Sequence, residues 1–167
     1  KRFVGKINRE KDDAILAISV FEEIEREEKS RVLDLFGPDS KVSGYFSRIT
    51  QGRYTDVSFD LESAGITATG SDGDMIDAEH LSGGALDQLH FAVRLSIGER
   101  MFPDGRGLLI LDDPFIKSDR ERLGIQMALL RDVVAAGWQV VYFSAKDEVK
   151  AALMADIASG SVGVFEI

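Results

Sequence analysis

The sequence contains no cysteine, and its 167 residues include only three prolines and one tryptophan. Without cysteine the chain has no disulfide framework and no thiolate metal site, which fits a reducing compartment and leads us to expect a cytoplasmic protein. No apolar run approaches the roughly 18–20 residues that a membrane-spanning helix needs. The chain opens with no signal-peptide pattern. We therefore expect no membrane partner.

An excess of positive charge is also missing. The chain has 20 basic and 29 acidic residues, which gives a formal net charge of −9. Proteins hold the phosphate backbone of nucleic acids with clustered Lys and Arg, so this balance argues against a broad nucleic-acid footprint. A nucleic-acid role must use a local patch or another part of an assembly.

The first 36 residues are charged and free of proline, which predicts a long helix. Several apolar residues fall near heptad spacing: Ala14, Ile18, Phe21, Val32 and Leu35. Glu25 and Glu28 occupy positions where a coiled-coil seam is normally apolar. We interpret residues 1–36 as a helix at the root of a coiled coil. An ordinary amphipathic surface helix is the alternative.

The middle of the chain predicts a short helix followed by a small antiparallel sheet. Gly37-Pro38-Asp39 should break the first helix. The second helix is expected at Ser43–Thr50, with Gly52 as its terminating glycine. From Tyr54 the pattern alternates between apolar and polar residues, with turn residues at 63–65 and 71–74, and predicts a three-stranded meander.

The second half of the chain alternates helices and strands in short units, the pattern of an α/β fold with a sheet that is parallel at its centre. The predicted elements are a helix that begins after Ser82, a strand at Leu108–Leu111, a helix over residues 123–134, a strand at Val140–Phe143, a helix at Asp147–Met154 and a last strand at Val162–Ile167. The two inner strands are almost wholly apolar, so we expect them to be buried on both faces.

Two sets of residues carry recognisable chemistry. Ser82, Gly83 and Gly84 precede a segment with helical periodicity, and a helix N-terminus offers free N–H groups to a phosphate. Asp112 and Asp113 follow an apolar strand, where paired carboxylates suit Mg²⁺ binding and activation of a water. Each signal is weak alone, because Gly-Gly usually forms a turn and an acid after a strand often only caps a loop. Their order along the chain makes them specific.

In that order, the motifs resemble those of the C-terminal half of an ABC-type ATPase head, in the branch of SMC proteins and SbcC-like DNA-repair ATPases. Leu81–Gly84 with Gln88 resembles the ABC signature, Leu108–Asp113 resembles Walker B, Ser118 and Asp119 resemble the D-loop, and Ser144 and Lys146 lie at the switch position. Upstream, Tyr45-Phe46, Ile49-Thr50, Gly52 and Tyr54 also match this branch. The resemblance covers most of the chain beyond about residue 40.

The resemblance implies a P-loop NTPase-like parallel sheet with flanking helices, in which residues 37–167 form the C-terminal lobe. It implies that Asp112 holds Mg²⁺ and that Asp113 polarises the attacking water. Ser82, Gly83, Gly84 and Gln88 would bind ATP held by the opposite head of a homodimer, and Asp119 would help to couple the two sites. The implied partners are an N-terminal lobe that carries Walker A, a second head, DNA through the full assembly, and a nuclease subunit in repair complexes.

The chain departs from the family pattern in three ways. No Gly-x-x-x-x-Gly-Lys motif followed by Ser or Thr occurs, so we expect an excised or separately expressed lobe that is inactive by itself. Asp113 stands where this family usually has Glu, which keeps open a structural DNA tether that uses ATP mainly to hold the dimer. Lys146 stands near the position of a frequent histidine; it could contact phosphate, but we favour a solvated side chain. An acidic binding module with accidental motifs is a third hypothesis.

Overall fold

The computed structural model describes residues 2–166, and their side chains from residue 11 onward except that of residue 12. The chain divides into two compact units, with the boundary between Asp34 and Leu35. The helices in residues 2–166 include none that is both long and apolar enough to cross a bilayer.

The first unit is one helix, α1 (Arg2–Leu33), so the prediction of a long helix is confirmed. Large apolar side chains along it are exposed to solvent, among them Ile15, Ile18, Phe21 and Ile24. Ion pairs one turn apart, such as Lys29 to Glu25 at 2.6 Å, lie further along it. A helix with so much exposed apolar surface suits pairing with a second helix, and the coiled coil stays a prediction.

The helix ends three residues earlier than expected. Leu35 and Phe36, which the sequence placed on it, pack instead into the core of the second unit. The ring of Phe36 stacks on that of Phe59, with 5.3 Å between the ring centroids. Burial of these two apolar side chains is the physical reason for the earlier end.

The second unit opens with α2 (Lys41–Ile49), which begins two residues before the predicted start because the Ser40 side chain caps it. Gln51 and Gly52 both have positive φ and end it. The meander is confirmed: β1 (Tyr54–Asp60), β2 (Gly65–Gly70) and β3 (Met75–Asp77) form an antiparallel sheet in that order. The sheet packs on α2 through buried side chains that include Val42, Phe46, Val57 and Ala68.

A short 3₁₀ turn at Ala78–His80 leads to the α/β half of the unit. There α3 (Gly83–Met101) is followed by β4 (Leu108–Asp112), α4 (Arg120–Ala135) and β5 (Gln139–Phe143). The two strands are parallel neighbours, with Leu109 opposite Val140 and Leu111 opposite Tyr142. The α/β class predicted from the sequence is therefore confirmed.

The prediction that β4 and β5 are buried on both faces is wrong. Leu111 is buried and Leu109, Val140 and Tyr142 pack against the core, but the alternate residues are exposed. The exposed apolar residues are Leu108 at 55%, Ile110 at 62%, Val141 at 36% and Phe143 at 44%. Strand residues alternate between faces, and within residues 35–166 the core covers one face.

The C-terminal end also differs from the prediction. The expected helix Asp147–Met154 is two short helices, α5 (Asp147–Ala152) and α6 (Met154–Ala158). Residues 162–166 form no strand, and Ile167 lies outside the described residues. The N–H of Val162 donates to the Asp156 carbonyl at the end of α6. This contact, after a turn with positive φ at Gly160, uses the first N–H of the expected strand.

Candidate functional site

The turn that resembles the ABC signature lies at the N-terminus of α3, as the sequence predicted. Ser82 is the N-cap, and its Oγ accepts a hydrogen bond of 3.3 Å from the N–H of Ala85. Gly83 and Gly84 are the first two residues of the helix. The first turn contains no acidic residue. The positive end of the helix dipole is therefore not neutralised there, which favours an anion.

Both glycines of this turn lie against the segment between β4 and α4. A Cβ on Gly83 would lie 3.3 Å from Lys117 Nζ, and one on Gly84 would lie 3.5 Å from the Lys117 carbonyl oxygen. Lys117 Nζ also forms an ion pair of 2.9 Å with Asp87 Oδ2 on α3. The signature turn and the residue that precedes Ser118 are therefore direct neighbours.

Gln88 faces the protein interior. Its side chain is 1% exposed, and neither Oε1 nor Nε2 has a hydrogen-bond partner within residues 2–166. Contact between this amide and a nucleotide on another head requires the side chain or α3 to move. The nucleotide-binding role of Gln88 stays a prediction.

Asp112, the last residue of β4, and Asp113, which follows it, have different surroundings. Asp112 is exposed, on the same side of the strand as Ile110. Asp113 is half-buried and has a φ of +38°. Its N–H donates to the Phe143 carbonyl at 2.9 Å, and its Oδ2 accepts from the N–H of Ala145 at 3.4 Å. These bonds hold Asp113 in a backbone conformation that costs free energy for any residue with a side chain.

A cavity of about 440 Å³ brings together four of the residues predicted to act on a nucleotide: Asp113, Ser118, Asp119 and Lys146. The rest of its lining consists of Phe115, Arg120, Leu123, Tyr142, Glu148 and Val149. Asp112, Ser144 and the signature turn do not line this cavity. The structure thus gathers the segments that resemble Walker B, the D-loop and the switch at one place and leaves the turn that resembles the signature outside it.

Lys146 is half-buried. Its ammonium group donates to the carbonyl of Ile116 and so ties the loop after β5 to the loop after β4. The N–H of Lys146 donates to Ser144 Oγ at 3.1 Å. A lysine that already lines the cavity can meet a phosphate there by a small shift of its side chain. That contact remains a prediction.

Asp119 is the N-cap of α4. Its Oδ1 accepts a hydrogen bond of 2.8 Å from the N–H of Arg122. This bond satisfies one of the free N–H groups of the helix and fixes the end of the loop that begins at Asp113. The cap is the role that the structure assigns to Asp119, and its part in coupling two sites stays a prediction.

Tyr142 shows the electrostatic character of the cavity. Burial of its phenol and, second, the negative charge of Asp113 raise the pKa of Tyr142 to about 12. The phenol is therefore protonated at neutral pH, and Asp113 is close enough to influence it. The neutral ring packs beside Phe115, with 6.1 Å between the ring centroids.

Asp112 and Asp113 are compatible with a magnesium ion whose ligands are mainly substrate phosphates and water. Among the side chains that the structure describes, no three acidic or histidine side chains converge in a way that could hold a metal by themselves. Mg²⁺ bound with a nucleotide commonly takes one or two protein carboxylates, and waters and phosphates complete its shell. Asp112, exposed at the end of β4, can supply one such oxygen.

Sequence reasoning missed Lys117, Asp87 and Tyr142. Tyr142 could have been noticed, because it lies on β5 next to the switch residues. The contact of Lys117 with Gly83 joins residues that are far apart in the chain, and no local pattern signals it.

Comparison with known proteins places this geometry in context. No family model matches the chain. The chain is similar to the uncharacterized protein YhaN of Bacillus subtilis (strain 168), with 31% identity over 106 residues. That match covers 64% of the chain and 11% of YhaN, so the chain spans about one ninth of this relative.

Solved structures share the fold. The Smc head domain of Pyrococcus furiosus with an extended coiled coil, bound to the C-terminal domain of ScpA, matches 81% of the chain and 35% of its own length, at 17% identity and a TM-score of 0.57. The Smc head domain of Pyrococcus yayanosii also matches 81% of the chain, and 27% of its own, at 21% identity and the same TM-score. A structure from work on ATP-driven dimerization of SMC ATPases matches 67% of the chain and 71% of its own, at 18% identity and a TM-score of 0.51. The chain therefore has the fold of part of an SMC-type head.

Proposed function

We propose that this chain is the C-terminal lobe of an SMC-like ATPase head, which binds and hydrolyses ATP at a head-to-head dimer interface. The observation that carries the proposal is the cavity in which Asp113, Asp119 and Lys146 meet. Two loops reach that cavity: the loop between β4 and α4, which the sequence likens to the end of Walker B and the D-loop, and the loop after β5, which it likens to the switch. Such convergence needs the whole α/β unit and does not follow from any one motif.

The chemistry divides between two half-sites. Asp113 accepts a proton from, or orients, the water that attacks the γ-phosphate of ATP held by its own head. Asp112 would hold Mg²⁺, which would supply neutralisation of the charge on the phosphates. Ser82 to Gly84 present the N–H groups of α3 to the nucleotide of the opposite head. ATP thereby becomes part of the interface and stabilises the closed dimer, and its hydrolysis releases the heads.

The exposed face of the β4–β5 sheet supports the need for a Walker A-containing N-terminal lobe. Ile110 and Phe143 are large apolar residues that are 62% and 44% exposed on this face. Parallel sheets are normally covered on both faces. A lobe that supplies further strands and the phosphate-binding loop would bury this surface and complete the site.

The similarity to SMC heads supports a role in which ATP hydrolysis acts on DNA, in either DNA repair or chromosome organisation. The long helix α1 suits the coiled coil that would carry motion from the head. With a net charge of −9, the chain leaves DNA contact to other parts of the assembly.

The test is ATP turnover by the chain reconstituted with its Walker A-containing lobe. Asp113→Asn keeps a similar shape and should lower turnover by about 10²–10⁴-fold, the usual contribution of a general base. Ser82→Arg should block ATP-dependent dimerisation, because a long side chain fills the phosphate position. Unchanged turnover in both variants would refute the proposal. Met75→Lys, on the exposed edge of the meander, is the control.

A second candidate is a structural tether in which ATP mainly holds the dimer. The observation in its favour is that Asp113 is one methylene shorter than Glu and already accepts a bond from Ala145 N–H. The reach of this carboxylate toward a water is therefore limited. ATP-dependent dimerisation with negligible phosphate release would support the tether. Asp113→Glu should then raise turnover.

A further inference from the structure

We infer that Lys117 is a further phosphate-binding residue, which adds its ammonium group to the Ser82–Gly84 turn when that turn meets the nucleotide of the opposite head. The inference rests on the proposed function, and it assigns a role to a side chain that belongs to none of the four motifs. Three features of the surroundings of Lys117 carry it.

The first feature is position. The stem and ammonium of Lys117 lie across Gly83, where a Cβ would be 3.4 Å from Lys117 Cδ and 3.3 Å from Nζ. The Lys117 backbone lies against Gly84 in the same way. The ammonium group thus lies beside the first residue of α3, within reach of an anion bound at that turn.

The second feature is electrostatic. A cation beside a helix N-terminus opposes the positive end of the helix dipole, and each such pairing costs a few tenths to 1 kcal/mol at the surface. Asp87, on the second turn of α3, offsets part of this cost through its ion pair with Lys117. An ammonium and N–H donors together complement a phosphate bearing two negative charges.

The third feature is the ion pair that holds Lys117 in place. Asp87 Oδ2 lies 2.9 Å from Nζ, and the two side chains are 33% and 56% exposed. An exposed pair of this kind contributes little stability, so it can exchange. Asp87 keeps the ammonium beside the turn. When a phosphate arrives there, rotation of the lysine side chain alone exchanges Asp87 for the phosphate.

The experiment measures ATP-dependent dimerisation of the chain reconstituted with its Walker A-containing lobe. Lys117→Gln should raise the ATP concentration for half-maximal dimerisation about tenfold, which is the size of one charge-assisted hydrogen bond. Lys117→Arg should keep it near the wild-type value. The matched control is Lys150→Gln, because Lys150 is also 56% exposed and pairs with Glu166 at 3.0 Å.

Asp87→Asn separates a phosphate ligand from a structural ion pair. If Lys117 binds phosphate, the variant frees the ammonium and dimerisation should occur at equal or lower ATP concentration. If the pair only holds α3 in place, Asp87→Asn should weaken dimerisation as much as Lys117→Gln does, and the inference fails. Any gain should disappear in the Asp87→Asn/Lys117→Gln double variant. A gain that persists there is a through-space charge effect and also overturns the inference.

Two further comparisons keep the outcome decisive. Thermal unfolding checks that each variant folds, and Lys117→Met, which keeps the stem over Gly83, replaces Lys117→Gln should that variant not fold. Ser82→Arg in the same assay tests the proposed function itself. If Ser82→Arg abolishes dimerisation while Lys117→Gln behaves like Lys150→Gln, only the role of Lys117 is refuted. If Ser82→Arg has no effect, the proposed function falls.

Discussion

Asp113 combines an unfavourable backbone conformation with a proposed role in ATP hydrolysis. Three non-glycine residues within residues 2–166 have positive φ, namely Gln51, Ala64 and Asp113. The first two lie in turns, where such conformations are common. Asp113 lies at the end of a strand, where its φ turns the chain so that its carboxylate lines the cavity. Strained backbone positions cluster at functional sites, and the strain at Asp113 supports its proposed role.

The strain gives a prediction for stability. Glycine adopts positive φ freely, so Asp113→Gly should be more stable than Asp113→Ala by roughly 1 kcal/mol, although glycine normally destabilises relative to alanine. Urea unfolding of both variants measures the difference. An alanine variant as stable as the glycine variant would show that the positive φ stores no strain. Both variants should lack turnover, because both lack the carboxylate.

At the residue scale, local chemistry could be predicted and long-range contacts could not. Ser82 was placed correctly because capping depends on residues within one turn. The hydrogen bond of Lys146 could not be predicted, because its acceptor, the Ile116 carbonyl, lies 30 residues earlier. The burial of Gln88 was likewise invisible, since polar residues are usually exposed.

At the scale of elements, Arg131 fastens α4 to α6. Its Nε and Nη2 donate to the Asp156 carboxylate at 2.7–3.1 Å, and Nη2 also donates to the Ala152 carbonyl. The hydrogen bond from Arg131 holds the pKa of Asp156 below its ordinary value of 3.8. This bidentate contact keeps α6 close to α4.

The contact predicts a pH-dependent effect of Arg131→Gln. A carboxylate whose pKa is lowered on folding adds stability above its unfolded pKa, and that stability is lost as the pH falls through the lower, folded value. The variant should therefore unfold at a lower temperature than wild type at pH 7, and the difference should shrink below pH 3.8. Thermal unfolding at both pH values tests this. A difference that is independent of pH would contradict the assigned cause.

The elements show which parts of the fold the sequence specifies. Alternation predicted the meander, and apolar runs predicted β4 and β5, because these patterns depend on the period of the local structure. The apolar run Leu108–Leu111 predicted burial, but it could not show which partner covers the second face of the strand. The segment at residues 162–166 has strand-like composition, but it forms no strand, and the N–H of Val162 is used at the end of α6.

At the scale of the whole molecule, the open face of the β4–β5 sheet is the most informative surface. Ile110→Lys should abolish binding to the Walker A-containing lobe while the chain keeps its fold, because a charged side chain cannot be buried without a partner. Pull-down of the purified lobe measures binding, and circular dichroism checks the fold. Met75→Lys, 69% exposed on the meander, should bind normally. Normal binding by Ile110→Lys would show that the lobe docks elsewhere.

The central claim is that Asp113 and Ser82 of one head serve two different nucleotides, and complementation between two inactive variants tests it most directly. A head with Asp113→Asn is mixed with a head with Ser82→Arg, each with its Walker A-containing lobe, and ATP turnover is measured. In the mixed dimer both substitutions fall in one composite site, and the other site is intact. We predict turnover in the mixture that neither variant shows alone. A mixture as inactive as its components would show that both residues serve the same nucleotide and would contradict the account.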